Sequence, residues 1–238
     1  MILIGQYDSP FVRRVGVALT LYGMAFEHQP WSSFGDADSL RAFNPLTRVP
    51  TLVLDDGFVL VDSHMMLDYL DGLVDAPLFP RREPERHRVL KVAALACGLA
   101  DKAVSLFYER AMHATISPSF DARCRNQIGA VLAALEHDFA SRPVSRHESG
   151  PYWFGHLSHA DIAVGCAWRF VNEAHPGLID PASLPNLHRL TAELEALPAF
   201  QANYQAFLPP TCAQPQIPSV SLWHKRGSAV NSLCISSL

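Results

Sequence analysis

The spacing of apolar positions changes partway along the chain. Up to about residue 75, short apolar runs alternate with helical spacing. Ile2 to Tyr7 reads as a buried strand. Val12, Val15, Ala18, Leu19 and Tyr22 then recur at helical spacing and Gly23 stops them, which predicts a helix. Ser9 fits its N-cap and Pro10 its first turn. Phe26 to Gln29 reads as a second strand and Ser39 to Phe43 as a short helix. Thr51 to Leu54 and Phe58 to Val61 are rich in β-favouring residues. Asp55-Asp56-Gly57 between them is turn chemistry, so the two runs form a hairpin. Asp62 caps a helix through His64 and Leu70. This order implies a parallel strand pair extended by antiparallel strands.

Asp75 to Pro84 is proline-rich and marks a boundary. Beyond it the 3.6-residue period dominates. Glu85 to about His113, Phe120 to Ala140, Ser158 to Ala174 and Leu187 to Phe207 all carry it, the last interrupted by Pro198. These segments predict an all-helical bundle. Leu157-Ser158-His159-Ala160-Asp161-Ile162 is a helix-start signature. Ser158 caps, Asp161 reaches back, and Leu157 packs on Ile162. Local folding, not catalysis, is the role this assigns to Asp161. From Thr211 the chain is rich in Ser and Pro with no helical period, and reads as a disordered tail. The expected division is 1–75, a linker over 76–84, 85–208, and a tail over 209–238.

Asn44 to Ser63 is the stretch with the most chemistry. Pro50 stands at a strand's first residue, where its missing N–H costs no ladder bond. A cis Val49–Pro50 bond there would turn the chain and leave the Val49 backbone groups facing outward. The helix start at Asp62-Ser63 offers free N–H groups and a hydroxyl to a carboxylate. Together these features suit a small peptide-like anion.

Composition narrows the function classes. A formal charge of −4 predicts no general attraction to nucleic acid or anionic membranes. The 5 cysteines are odd in number and widely spaced, without Cys-x-x-Cys, which fits a reduced cytoplasm and no disulfide framework. The 11 histidines lack His-x-x-x-His spacing, so no metal site is expected. No basic leader, transmembrane-length run or glycine-rich nucleotide motif is present in the sequence.

The succession of strands and helices, the proline linker and the helical second half together resemble the glutathione S-transferase fold: an α/β thioredoxin-like N-terminal domain plus an all-α C-terminal helical bundle. Ser9-Pro10-Phe11-Val12-Arg13-Arg14-Val15 is similar to the serine-type bacterial and plant members. Asn44-Pro45-Leu46-Thr47-Arg48-Val49-Pro50 resembles the segment before the family's cis-proline, and Asp62-Ser63 its acidic-residue–serine pair. Ser158-x-x-Asp161 resembles its sixth-helix capping box. The resemblance covers about residues 1 to 208.

By that resemblance, glutathione is the co-substrate and Ser9 the catalytic residue, donating a hydrogen bond to the thiolate. Val49, before Pro50, would bond the cysteinyl backbone, and Phe11 and Pro50 would also belong to the glutathione-binding set. Arg48 would face a ligand carboxylate, and Asp62 and Ser63 would take the γ-glutamyl end. Tyr7, where tyrosine-type members carry their hydroxyl, is a rival to Ser9 and is assigned to packing. Arg13 is assigned to a structural ion pair. The second substrate would be a hydrophobic small-molecule electrophile, with Phe11, Trp31, Phe107, Tyr108, Met112 and Trp168 as candidates for its pocket. The family is commonly a homodimer, which is the expected state. Two departures stand out. No Lys or Arg lies between Gln29 and Arg41 for the glycine carboxylate, and Cys97 occupies a position where many relatives carry aspartate, with Asp101 one turn on. Glutathione-dependent peroxidase, isomerase or dehalogenase activity, and a non-catalytic binding protein, are the alternatives.

Overall fold

The computed structural model describes residues 1–142 and 151–209. Residues 210–238, most of the expected tail, lie outside the described residues. Strand β1 (Ile2–Ile4) pairs in parallel with β2 (Glu27–Gln29) and antiparallel with β3 (Thr51–Val53), which pairs antiparallel with β4 (Val59–Val61). The sheet order is β2-β1-β3-β4, the mixed sheet expected of a βαβ unit followed by a hairpin. β1 is shorter than predicted. Gly5 takes a φ of +134°, which ends the strand, and its amide bonds the Gln29 carbonyl at 2.8 Å.

Helix α1 (Pro10–Leu21) packs on the sheet, on α3 (Ser63–Gly72) and on α6 (His159–Ala174), while α2 (Ala37–Arg41) is a short exposed helix. The second half is helical among the described residues: α4 (Glu85–Met112), α5 (Pro118–Ala140), α6, α7 (Pro185–Glu195) and α8 (Pro198–Ala202). α6 is the central element. Its residues from His159 to Trp168 are all buried, as an apolar-all-round helix must be. Its start is fixed by Asp161. Oδ2 accepts from the Ser158 amide (2.9 Å) and hydroxyl (2.7 Å), and Oδ1 from the Trp153 amide (2.8 Å). The predicted helix over 187–207 is corrected: it breaks before Pro198, which has no N–H to continue it, and the chain after α8 leaves helical structure.

The two halves meet at a buried polar joint. Asp71 of α3 accepts from the Tyr22 hydroxyl, from His159 Nε2 (2.9 Å) and from the Phe79 amide (2.9 Å). The His159 amide bonds the Leu78 carbonyl at 3.2 Å. Burial holds the His159 imidazole below its usual pKa, so it is a neutral donor at pH 7. Among the described residues no helix is long and apolar enough to cross a membrane.

Protonating His159 therefore favours the unfolded chain, where histidine titrates near about 6.5. Stability is full above that pH and falls below it, by up to about 1.4 kcal/mol per pH unit until the lower folded pKa is reached. His159→Gln should cost about 1–3 kcal/mol at pH 7.5, with the deficit shrinking toward pH 5. Urea unfolding of both proteins at several pH values measures this. The depressed His64 and His175 contribute equally to each and cancel in the difference; parallel profiles would refute it.

Candidate active site

The site begins at the N-terminus of α1. Ser9 caps it with extended backbone (φ −69°, ψ 123°), and its Oγ accepts the Val12 amide at 3.4 Å. The oxygen is thus used as an acceptor, leaving its proton free to donate. Pro10 is buried in the first turn, and Phe11 packs partly on the core.

Opposite stands the loop before β3. The Val49–Pro50 bond is cis, as expected. Among the described residues neither the Val49 N–H nor its C=O makes a hydrogen bond. Buried Asn44 holds this loop: Nδ2 donates to the Arg48 carbonyl (2.9 Å) and Thr51 Oγ1 (3.0 Å), and Oδ1 accepts from the Leu46 amide (3.0 Å). Arg48 is exposed.

The third part is the start of α3. Asp62 takes a φ of +71° and caps the helix through its own side chain, which accepts the His64 amide at 2.8 Å. Ser63 is buried beside Arg14, a residue that sequence reasoning passed over. Arg14 is 1% exposed, and Nη1 reaches Ser63 Oγ (3.5 Å) and Cys97 Sγ (2.7 Å). Its Nε and Nη2 are buried without a partner among the described residues. Burial raises the Cys97 thiol pKa, with the Arg14 charge opposing. Arg13 behaves as expected. It forms a bidentate ion pair with Glu195 (2.5 and 2.6 Å) and bonds the Asn203 and Phe200 carbonyls.

Ser9, Phe11, Arg48 and Val49 all line one cleft of about 890 Å³ between the sheet domain and α4. Pro50, Asp62 and Ser63 lie outside its lining; Asp62 and Ser63 connect to it through α1, whose Arg14 touches Ser63. Trp31, Phe107, Tyr108 and Met112 face this cleft as expected. Trp168 does not, which corrects the reading: it lines a separate cleft of about 370 Å³ against His188 and Arg169, on the α7 side of α6. Tyr7 is also outside. It stacks on His28 (3.9 Å between ring centroids), and burial raises its pKa to about 12.

Among the cleft residues that sequence reading missed, Phe34, Phe170, Phe207 and Asp8 matter most to its shape and charge. Phe34 meets Tyr108 edge-on at 5.5 Å across the opening. Phe207 meets Phe107 (5.1 Å) and Phe170 (5.6 Å), both edge-on. Asp8 accepts the Leu208 amide at 3.4 Å. Reading 187–207 as one helix hid the segment that carries Phe207 back over the cleft.

A small mixed sheet with a cis-proline loop and a capped helix, joined to a helical bundle, is the architecture of a thioredoxin-like domain followed by an all-helical one. The glutathione S-transferase N-terminal domain family matches residues 3–78 and its C-terminal domain family residues 118–193. The chain is 31% identical over 174 residues to the uncharacterized GST-like protein YibF of Escherichia coli K12, covering 72% of this chain and 82% of that one. It is 29% identical to a probable maleylacetoacetate isomerase of Vibrio cholerae, covering 84% and 93%. A glutathione transferase family member from Pseudomonas fluorescens Pf-5, solved with bound glutathione, superposes with a TM-score of 0.72 at 32% identity, covering 88% and 98%. The chain belongs to the glutathione S-transferase family and is an enzyme of the glutathione transferase type.

Gly5 sets the spacing between the two sides of the site. A Cβ there would stand 2.5 Å from Val12 Cγ2 and 2.8 Å from Val49 Cβ, at a φ of +134°. Gly5→Ala should therefore destabilise the protein by about 2–4 kcal/mol, combining left-handed strain with overpacking. Urea denaturation checks it; a loss under about 0.5 kcal/mol, the range of an ordinary surface substitution, would refute it.

Proposed function

We propose that this enzyme binds glutathione along Val49 and the α3 N-terminus and activates its thiol at Ser9 for attack on a hydrophobic electrophile. The observation that carries this is the Ser9 hydroxyl. It caps α1 as an acceptor, keeps its proton, and opens into the cleft that the Val49 backbone and the aromatic side chains share.

The chemistry follows from these positions. A free thiol has a pKa of about 8.5, so thiolate is scarce at pH 7. The Ser9 O–H and the positive end of α1 both favour the anion, and each unit of lowered pKa corresponds to about 1.4 kcal/mol. Ser9 stays neutral and acts by donating a hydrogen bond. The unpaired Val49 N–H and C=O receive the cysteinyl backbone in strand fashion. Ser63, Asp62 and the α3 N-terminus hold the γ-glutamyl end, with the Arg14 charge behind Ser63. Arg48, the one Lys or Arg lining the cleft among the described residues, faces the glycine carboxylate. The thiolate then forms a carbon–sulfur bond with an electrophile held among Phe11, Phe107, Tyr108 and Phe207, and the electrophile's leaving group departs with the bonding pair. Conjugation of this kind suits detoxification. The Vibrio relative favours a second reading, glutathione-dependent cis–trans isomerisation on the same site.

Glutathione at a hundred times its dissociation constant should stabilise the protein by about 2.7 kcal/mol. No shift in melting temperature at millimolar glutathione, with no retention on immobilised glutathione, sinks the reading. Ser9→Ala should lower kcat/KM by about 100- to 1000-fold, the usual cost of removing one donor to a developing anion. Tyr7→Phe should conjugate as the parent does. A Ser9→Ala enzyme as fast as the parent would overturn the assignment.

The homodimer is proposed on an exposed apolar stripe of α3 and its end. Met65, Tyr69 and Leu73 recur at a spacing of four residues and are 58%, 38% and 54% exposed. Light scattering should give twice the chain mass, and Met65→Glu with Tyr69→Glu should give the monomer. A monomeric parent at micromolar concentration would refute this.

A further inference from the structure

Resting on the glutathione reading, we infer that the second substrate is an aromatic electrophile that is cationic or neutral, and that Asp8 is the residue that excludes anionic ones. The cleft has two chemical halves. Its far wall is a nest of rings: Phe11, Phe34, Phe107, Tyr108, Phe170 and Phe207. The four ring contacts among them are edge-to-face, each using one ring's edge against one neighbour's face, so the rings are not stacked face on face. Ring faces attract cations as well as apolar rings.

The charges around that wall are acidic. Asp8 and Asp101 line the cleft, and Arg48 is the one basic side chain that does so among the described residues. Asp101 is paired with Lys102 at 2.8 Å on the exposed rim, a contact of small worth. Asp8 is different. It is half-buried, one of its oxygens accepts the Leu208 amide at 3.4 Å, and no cation pairs with it among the described residues. A like charge, Glu173, also acts on it, and Arg169 already pairs Glu173 at 2.7 Å. Burial pushes the Asp8 pKa up, which is the cost of an uncompensated carboxylate.

Bound glutathione sharpens this asymmetry. Arg48 would be occupied by the glycine carboxylate, and the thiolate brings another negative charge beside Ser9. What remains facing the electrophile is Asp8, Asp101 and sulfur. An ammonium group on the ring would compensate Asp8, whereas a carboxylate would meet it unpaired. The same field disfavours a maleyl-type diacid, which separates this protein's expected substrate from the one named for its Vibrio relative.

The test uses two glutathione conjugates that carry opposite charges at the same ring position, S-(4-carboxybenzyl)glutathione and S-[4-(trimethylammoniomethyl)benzyl]glutathione. Both carry the same glutathione half, so their affinity ratio isolates the cleft. Calorimetry on the parent should show the cationic conjugate bound about tenfold or more tightly than the anionic one, the size of one partly screened charge contact. Asp8→Asn should bring the ratio to within about threefold of unity, and Asp8→Thr should do the same. Equal affinities in the parent, tighter binding of the anion, or an unchanged ratio in both variants overturns the inference while the glutathione reading stands. If neither conjugate binds and glutathione itself causes no melting shift, the underlying reading has failed and this inference fails with it.

Discussion

Two consecutive buried guanidiniums on α1 organise the molecule. Arg13 and Arg14 are each 1% exposed, and being adjacent on a helix they point about 100° apart. Arg13 reaches the helical half, where the Glu195 carboxylate and two carbonyls surround it. Arg14 reaches the other way, to α3 and α4. Burying a cation costs several kcal/mol unless partners compensate it, and removing one partner of such a pair typically costs about 3–5 kcal/mol. Arg13 has that compensation in full, so it locks α1, and with it Ser9, to α7 and α8. Arg14 does not: its contacts are a hydroxyl and a thiol, and two of its donors are unused. The fold thus holds one guanidinium as a rivet and keeps the other under-bonded beneath Ser63.

The opposing side of the site is held by small geometric constraints rather than charge. Gly5 lets β1 end and admits Val49 close to α1. Asn44 spends both ends of its amide on the loop that presents Val49. The result is a backbone edge with its donor and acceptor free, facing a helix N-terminus across a fixed gap. Neither side needs to move far for the two to act on one ligand, which is the preorganisation that electrostatic activation of a thiol requires.

Much of this was legible from residue order because its causes are local. Ser9 before Pro10, the Asp-Asp-Gly turn, Asp62 before Ser63, and Ser158 with Asp161 are signals spanning a few residues, and each caps or turns the chain where expected. Arg14 was not legible. Its neighbour Arg13 has the same residue type and burial and pairs with Glu195 of α7, whereas only the packing of α3 and α4 places Arg14 beside Ser63 and Cys97. Trp168 was misplaced for a related reason. α6 is apolar all round, so periodicity could not say which face meets the cleft. The fold-back carrying Phe207 was hidden because Pro198 was read as an interruption of one helix, whereas it begins a short new one that then ends at Asn203.

These differences fall on one side of the molecule. The groups proposed for glutathione come from residues 9 to 63, within one small domain whose turns and caps are written locally. The second-substrate wall draws Phe11, Phe34, Tyr108, Phe170 and Phe207 from five segments spread over nearly 200 residues. No local pattern specifies how those rings meet; that depends on interhelical angles and on where a chain end returns. Family likeness is consequently informative about the half proposed to hold glutathione and poor on the half proposed to select the electrophile. A single residue such as Asp8, adjacent in sequence to the proposed catalytic serine yet bonded to Leu208 200 positions away, belongs to both halves at once. Its position ties the charge of the proposed selecting wall to the turn that carries the proposed catalytic serine.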